Sequence, residues 1–460
     1  AAPVAVGTVD QAMLAALQVK HAHLRGSALS RSLLVIDEVH ASDAYMTAIL
    51  KRLLDAHLAV GGHALLMSAT LGAQARAGWL GTKLPPVQDA IAAPYPAVWV
   101  AGEPRPRAVG ETALEKAVAM EAVATMDPHE AARRALAAAR AGARVLVIRN
   151  TVDMAVDTWR AVQDADGGHL LMQVAGRPAL HHGRFAVEDR ASLDAAAEQA
   201  LTTDPARPAQ GCIVIGTQTL EQSLDIDADL LLTDLCPVDV LLQRIGRLHR
   251  HDLPRPEGFA TPSAQVLLPE DGLDRIVRTK DFKNGLGGWE QDGRWVGVYR
   301  DLAGLELTRR LIDTHPVWRL PAMNRQLVEG ATHPDRIDDL LAEKDAAWQT
   351  YHRTVGGTQA AEAQIATLNV LNRQQAFGTD ALEFRNADEK IMTRLSEEGA
   401  VLSLDPAPLG PFGQTITRLT LPPHWSHGLG ANPSITVTAQ ADGLRLTVGE
   451  TTFGYSRAGL

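Results

Sequence analysis

Asp37 and Glu38 are adjacent carboxylates that follow the apolar tetrad Leu33-Leu34-Val35-Ile36 and precede Val39-His40. A buried parallel strand ending in acids carries them to the sheet edge where open α/β sheets bind ligands. An Asp there can hold Mg2+ through water, and a neighbouring Glu can orient or deprotonate an attacking water. A second apolar run, Leu65-Leu66-Met67, ends in Ser68-Ala69-Thr70, two hydroxyls at the same edge that can link a phosphate site to another ligand. Each has a plainer reading when taken alone: a solvated acidic loop for the first, a helix N-cap for the second.

Two further stretches carry chemistry. In Gln243-Arg244-Ile245-Gly246-Arg247-Leu248-His249-Arg250, helical spacing turns Leu241, Ile245 and Leu248 inward and Gln243, Arg247 and Arg250 outward. Two guanidiniums one turn apart can reach a phosphate and stabilise charge that develops as it is transferred. The alternative is a surface arginine stripe paired with carboxylates, against which stands Gly246, since glycine costs about 1 kcal/mol inside a helix and suggests a close approach. The stretch Ile215-Gly216-Thr217-Gln218-Thr219-Leu220-Glu221, continuing to Asp225 and Asp227, is a hydroxyl-rich loop leaving a buried strand. Backbone amides and short hydroxyls suit non-specific contact with nucleic-acid phosphates.

The elements that must position these groups alternate. Strand Leu33–Ile36 precedes an amphipathic helix from about Asp43 to Ala59, with Met46, Ile49, Leu50, Leu53, Leu54 and Leu58 on one stripe. Strand Ala64–Met67 and a short helix around Gln74–Leu80 follow, then a proline-punctuated bridge through Pro106 that reads as a boundary. A second alternation runs through helix His129–Ala141, strand Arg144–Ile148, helix Met154–Val162, strands Cys212–Ile215 and Leu230–Leu232, helix Val238–His249 and strand Ala264–Leu268. Such alternation implies two doubly wound parallel sheets. Past Pro269 the pattern loosens: Gly285-Leu286-Gly287-Gly288 lies in a loop-rich stretch, and Pro334–Gln375 is mostly helical with a break at Gly356-Gly357. Ile435–Ala439 and Leu444–Val448 alternate across Asp442-Gly443 as a hairpin.

The 460 residues carry 44 Lys+Arg against 54 Asp+Glu, a net charge of −10, with 46% apolar residues. That supports several cored domains and excludes disorder, and it argues against a bulk DNA-coating protein while leaving room for a local basic groove. No apolar run approaches the ~18–20 residues of a membrane span. Two cysteines give no disulfide framework, which fits a reducing cytoplasm. The histidine pairs His21/His23 and His181/His182 lack the closed ligand set a zinc site needs.

The order and spacing of these stretches resemble superfamily 2 helicases. Asp37-Glu38-Val39-His40 matches motif II, Ser68-Ala69-Thr70 motif III, Arg149-Asn150-Thr151 motif IV, Thr217–Asp225 motif V and Gln243–Arg250 motif VI. A narrower resemblance, to the CRISPR-associated helicase–nuclease of type I systems and most to the I-E kind, rests on Val6-Gly7-Thr8-Val9-Asp10-Gln11, Val19-Lys20-His21, Asp43-Ala44-Tyr45-Met46, His182-Gly183-Arg184-Phe185 with Asp189-Arg190, and Thr233-Asp234-Leu235-Cys236-Pro237. It covers roughly residues 3–330 well and the tail loosely.

The resemblance implies an α/β fold of two RecA-like parallel-sheet domains, the first incomplete, with a C-terminal α+β accessory domain. The expected division is 1–104 for the end of the first domain, 105–270 for the second, 271–375 for a linker region and 376–460 for the accessory domain. It implies ATP and Mg2+ as cofactors and single-stranded DNA and the RNA-guided Cascade surveillance complex as partners. Asp37 would hold the metal, Glu38 the attacking water, and Arg247 and Arg250 would act as arginine fingers. His40, Ser68, Thr70, Asp225 and Gln243 would serve the nucleotide, and Thr8, Gln11, Asn150, Thr151, Thr217 and Thr219 the DNA strand. Two departures qualify this. No G-x-x-x-x-G-K-[ST] loop occurs in the sequence, and the only His-Asp dipeptide, His251-Asp252, follows motif VI without partner ligands. The family architecture places the P-loop and the metal-dependent HD nuclease upstream of Thr8, on the same chain or a separate one, so the chain by itself is expected to be inactive. The alternatives are a restriction-type superfamily 2 motor and a non-catalytic DNA-binding or Cascade-docking module.

Overall fold

A computed structural model describes residues 4–41, 43–110, 115–206, 210–221, 224–278, 285–291, 294–373, 399–426 and 434–460. Gln222 and Ser223 of the motif V stretch and residues 376–398 of the expected accessory domain lie outside them. The chain forms two compact units: residues 1–86, 100–102 and 349–396 make the first, and 87–99, 103–348 and 397–460 the second. The expected linker region is thus divided between the two units, and the tail from 397 packs with the second.

In the first unit, strands β1 (Leu33–Ile36) and β2 (His63–Leu66) pair in parallel, Leu33 opposite His63 and Ile36 opposite Leu66. Helix α1 (Ala44–Ala59) starts where the Asp43 carboxylate accepts from Met46 N at 2.8 Å. It buries Met46, Ile49, Leu50, Leu53 and Leu54 with Tyr45 and Met13, but Leu58 of the expected stripe is 52% exposed. The sheet is apolar on both faces and covered on one. Leu33, Val35, Leu65 and Met67 are all exposed hydrophobic side chains, an arrangement that buried parallel strands do not normally show.

The second unit is built on a six-stranded sheet. Its strands are β3 (Lys116–Val123), β4 (Arg144–Ile148), β5 (Cys212–Gly216), β6 (Leu230–Asp234), β7 (Ser263–Leu267) and β8 (Val317–Leu320), in the order β8-β3-β7-β6-β4-β5. All neighbours are parallel except β8, which pairs antiparallel with β3. β4 and β6 are buried throughout, which is why they read as unbroken apolar runs rather than alternating ones. Helices α2 (Pro128–Arg140) and α3 (Val152–Asp164) are started by local chemistry. Asp127 accepts from His129 N with Pro128 in the first turn, and the Thr151 hydroxyl accepts from Met154 N at 3.3 Å.

Three expectations needed correction. The motif VI helix, α5 (Val238–Ile245, preceded in the chain by α4, Val187–Ala200), ends at Ile245 rather than His249. Gly246 is its C-cap, and the close approach there is to its own last turn: a Cβ would lie 2.9 Å from Gln243 O. The glycine-rich 285–288 stretch opens an antiparallel pair, Leu286–Gln291 with Arg294–Tyr299. Helix Ala346–Asn369 runs through Gly356-Gly357 unbroken. Buried Tyr351, Val355 and Ala366 on either side hold it against the roughly 1 kcal/mol cost of each glycine. The hairpin at Asp442-Gly443 forms as expected and gains a third strand, Thr451–Ser456.

One glycine positions the functional edge. Residue 181 runs alongside the end of β5, with His181 N donating to Ile215 O at 2.9 Å and Thr217 N donating to His181 O at 3.1 Å. A Cβ on Gly216 would lie 2.3 Å from His181 O. Gly216→Ala is therefore expected to lower the unfolding free energy of the second unit by about 1–3 kcal/mol, the usual cost of overpacking, measured by urea denaturation.

Candidate functional site

In the first unit the β1–β2 ladder continues beyond the strands: Met67 N donates to Ile36 O at 2.9 Å and Val39 N to Met67 O at 3.1 Å. These bonds hold Asp37-Glu38 and Ser68-Ala69-Thr70 side by side at the C-terminal edge. Both carboxylates are exposed, and Asp37 Oδ1 accepts from Glu38 N at 2.9 Å. Glu38 has φ 51°, a left-handed conformation that non-glycine residues adopt uncommonly. The His40 ring joins the two motifs. Its Nδ1 lies 2.9 Å from Ser68 Oγ and 3.3 Å from Glu38 Oε2. Ser68 Oγ accepts from Thr70 N at 3.2 Å, while the buried Thr70 hydroxyl has no hydrogen-bond partner among the described residues.

Among the described residues, no group of three or more His, Cys, Asp or Glu is arranged to hold a metal ion. The exposed Asp37-Glu38 pair nevertheless fits Mg2+, which is usually held by one or two carboxylates together with waters and substrate phosphates. Thr8 and Gln11 are exposed at the start of helix Val9–Met13.

In the second unit, the side chain that organises the edge is one the sequence reading passed over, Arg244. It has no exposed surface. Its Nε donates to Glu221 Oε1 at 2.8 Å, Nη1 to Thr233 Oγ1 at 2.5 Å and to Asn150 Oδ1 at 3.3 Å, and Nη2 to the Tyr299 hydroxyl at 3.1 Å. Burial pushes the Glu221 carboxyl up, and the Arg244 charge pulls it back. Beside this network Arg149 and Asp234 form a second ion pair, 2.9 Å apart and without exposure on either side.

Asn150 and Thr151, expected to touch DNA, turn their side chains to internal work. Asn150 Nδ2 donates to Leu235 O at 2.8 Å while Oδ1 accepts from Arg244, and Thr151 caps α3. Thr217 is 3% exposed. Thr219 is partly exposed, with its hydroxyl 2.7 Å from His181 Nδ1.

The two expected arginine fingers differ. Both lie in the turn beyond α5. Arg247 is half-buried and donates to Leu224 O at 2.6 Å and Glu221 O at 2.7 Å, so it clamps the motif V backbone. Arg250 is exposed, with Asp225 as its partner at 3.4 Å, and Gln243 is half-buried on α5. Lys116, also unforeseen, fixes this turn from below. Its Nζ donates to Ile245 O at 2.8 Å and Leu248 O at 2.7 Å, and burial lowers its pKa to about 8.

The His182–Phe185 segment is the seat of the C-terminal strands. His182 stacks on Phe185 at 4.3 Å, and its Nε2 lies 3.0 Å from Ala458 O. The Tyr455 hydroxyl donates to Asp189 Oδ2 at 2.6 Å. Arg457 donates to the carbonyls of Val174, Arg177, Pro178 and Pro411.

Two parallel-sheet units with acids and hydroxyls at one strand edge and an arginine turn at the other define the RecA-like class of superfamily 2 helicases. Comparison with known proteins narrows this. Residues 141–253 match the family described as CRISPR-associated nuclease/helicase Cas3, C-terminal. The chain is 36% identical over 447 residues to the CRISPR-associated endonuclease/helicase Cas3 of Thermus thermophilus, covering 86% of this chain and 46% of that protein. The crystal structure of T. fusca Cas3 superposes with a TM-score of 0.65 at 25% identity, covering 87% of this chain and 45% of that one. The structure of T. fusca Cas3 with ADP gives 0.64 at 25% identity, covering 87% and 46%. These likenesses support a Cas3 helicase-type protein. It spans less than half the length of the relatives named.

Arg244→Ala would leave Glu221 buried without its cation, and is expected to cost the second unit about 3–5 kcal/mol. Arg244→Lys should recover only part of that, because an ammonium cannot replace the planar fork that reaches four partners. Urea denaturation of both variants checks the order.

Proposed function

We propose that the chain is the motor portion of a CRISPR type I helicase–nuclease, an ATP-dependent translocase on single-stranded DNA that unwinds target DNA after recruitment by the RNA-guided Cascade complex. The observation that carries the reading is the first-unit edge. There an exposed Asp-Glu pair, with Glu38 in a left-handed conformation, is tied through His40 to Ser68. In this reading His40 ties Glu38 to the Ser68 hydroxyl of motif III, as a nucleotide-responsive motor requires. The T. fusca relative seen with ADP supports a nucleotide as ligand.

In this reading Asp37 would hold Mg2+, which would offset phosphate charge, and Glu38 would orient the attacking water. Arg250 is the arginine finger, exposed and loosely paired, while Arg247 keeps motif V in register. Asp225 and Gln243 serve the nucleotide. Thr8, Gln11 and Thr219 remain the assigned DNA contacts, with the buried Thr217, Asn150 and Thr151 supporting them from within. The P-loop and HD nuclease come from a segment outside these 460 residues, in cis or in trans. The exposed apolar face of Leu33, Val35, Leu65 and Met67 supports a further layer covering the first sheet. Partnership with Cascade rests on the sequence resemblance, and a cytoplasmic location on two cysteines that give no disulfide framework. Among the described residues, no helix is long and apolar enough to cross a membrane.

The test uses the longer protein containing this chain. Glu38→Gln should cut DNA-stimulated ATP turnover by about 10²-fold or more while ATP binding persists. Arg250→Ala should cut it by about 10³-fold with a much smaller change in ATP affinity. Loss of ATP binding in step with turnover would count against both roles. The 460-residue chain alone should show negligible turnover on single-stranded DNA, because positioning of the phosphates supplies most of the catalysis in phosphoryl transfer. Robust turnover by it would refute the need for the missing loop.

A further inference from the structure

One chain of hydrogen bonds links Thr219 of the motif V turn to a surface carboxylate through His181, a residue with no role assigned above. His181 is 1% exposed, and its ring bridges two elements. Nδ1 lies 2.7 Å from Thr219 Oγ1, in the turn Gln218–Leu220, and Nε2 lies 2.6 Å from Asp194 Oδ1, on α4. Its backbone is fixed alongside β5 by two hydrogen bonds, so the ring cannot drift from the turn.

The donor inventory decides the direction of every bond. A carboxylate only accepts, so Nε2 carries the hydrogen of a neutral ring and Nδ1 is bare. The Thr219 hydroxyl must then donate its single hydrogen to Nδ1, and its oxygen offers only lone pairs outward. A phosphate oxygen is also an acceptor, so in this state Thr219 has nothing to give it. With a cationic ring the bond reverses. Nδ1–H donates to Thr219 Oγ1, and the hydroxyl hydrogen is free to turn toward a phosphate.

We propose that Asp194 and His181 are positioning residues that decide whether the Thr219 hydroxyl can donate to a nucleic-acid phosphate, so that strand binding at motif V takes up a proton. The inference rests on the reading of motif V as a single-stranded-DNA contact. The groups facing the ring are Asp194 and Arg190 from α4, with His182 next in the chain. Burial lowers the His181 pKa below the ordinary imidazole value, Asp194 opposes this, and Arg190 adds to the lowering. The free ring is therefore neutral near neutral pH, and an arriving phosphate favours its protonation. Grip should tighten as pH falls through the ring's depressed range.

The experiment measures affinity of the 460-residue chain for a fluorescent oligo-dT by anisotropy, at fixed salt, from about pH 5 to about pH 8, around the imidazole range. The wild-type chain should gain about three- to tenfold more affinity over this range than Thr219→Val does, the worth of one hydrogen bond. Thr219→Ser should restore the wild-type profile. Asp194→Asn should move the midpoint to lower pH, because it removes the charge that favours the cationic ring. A purely structural role would change affinity or unfolding without shifting that midpoint. Parallel profiles for wild type and Thr219→Val, or an unmoved midpoint in Asp194→Asn, would overturn the inference and leave the DNA reading standing. A wild-type chain that binds no oligonucleotide at any pH would overturn the DNA reading and this inference together.

Discussion

The functional edge of the second sheet depends on a guanidinium that water does not reach. Removing an ion from water costs several kcal/mol even after relaxation, so Arg244 persists only because its donors are matched around it. The partners lie at the ends of three neighbouring strands: Asn150 after β4, Glu221 after β5 and Thr233 on β6, with Tyr299 beyond them. None of these loops can shift without stranding a buried charge or acceptor. Motifs IV, V and VI therefore behave as one rigid piece. The opposite edge is fixed by the same device, with Arg255 held by buried Asp227 and Asp229 where β6 begins. Catalytic loops on parallel sheets are ordinarily the mobile part of the scaffold, and here the charge network limits how far they move.

That rigidity sorts the arginines of motif VI by what they remain able to do. Arg244 is wholly committed to the network, and Arg247 to two motif V carbonyls. Among the described residues, Arg250 has an exposed partner, Asp225, at 3.4 Å. Exposed ion pairs are worth about 0–1 kcal/mol, so a triphosphate can displace this one at little cost, whereas displacing Arg247 would release the motif V backbone. Three arginines close together in sequence thus divide into a core link, a clamp and an exposed, loosely held cation, and burial makes the division.

Much of the fold was legible because parallel strands buried on both faces read as apolar runs; Arg144–Ile148 is matched residue for residue. The DEVH edge was equally legible, since strand-then-acid is a local pattern. What escaped notice depends on distant partners. Arg244 looks like any other arginine on an amphipathic helix, and only its contacts with residues 150, 221, 233 and 299 reveal it. Lys116 opens a strand that carries Glu121 and an alanine-rich pattern, too weakly apolar to be recognised as a sheet member. Asn150 and Thr151 fit a motif by type, yet their side chains turn inward, because a match of residue types says nothing about which way a polar atom points. Helix α5 was drawn too long because its apolar period continues through Leu248 while the hydrogen bonding has already tightened into a turn.

The segment through His181-His182 shows how one short run can serve two ends of the molecule. In an extended chain, successive side chains point to opposite sides. His181 accordingly faces Thr219 and Asp194, while His182 faces Phe185 and the carbonyl of Ala458. Helix α4 repeats the division, giving Asp194 to His181 and Asp189 to Tyr455. The C-terminal strands and the motif V turn therefore share a backbone strip and a helix, although no side-chain hydrogen bond among the described residues joins the tail to Thr219. Burial lowers the His182 pKa to about 3, which keeps that ring neutral at the pH where cells work and makes it a fixed packing element. The neighbouring ring keeps a carboxylate partner and so retains a route to protonation. Two adjacent histidines of the same type are separated, by a single reversal of side-chain direction, into a structural residue and a titratable one.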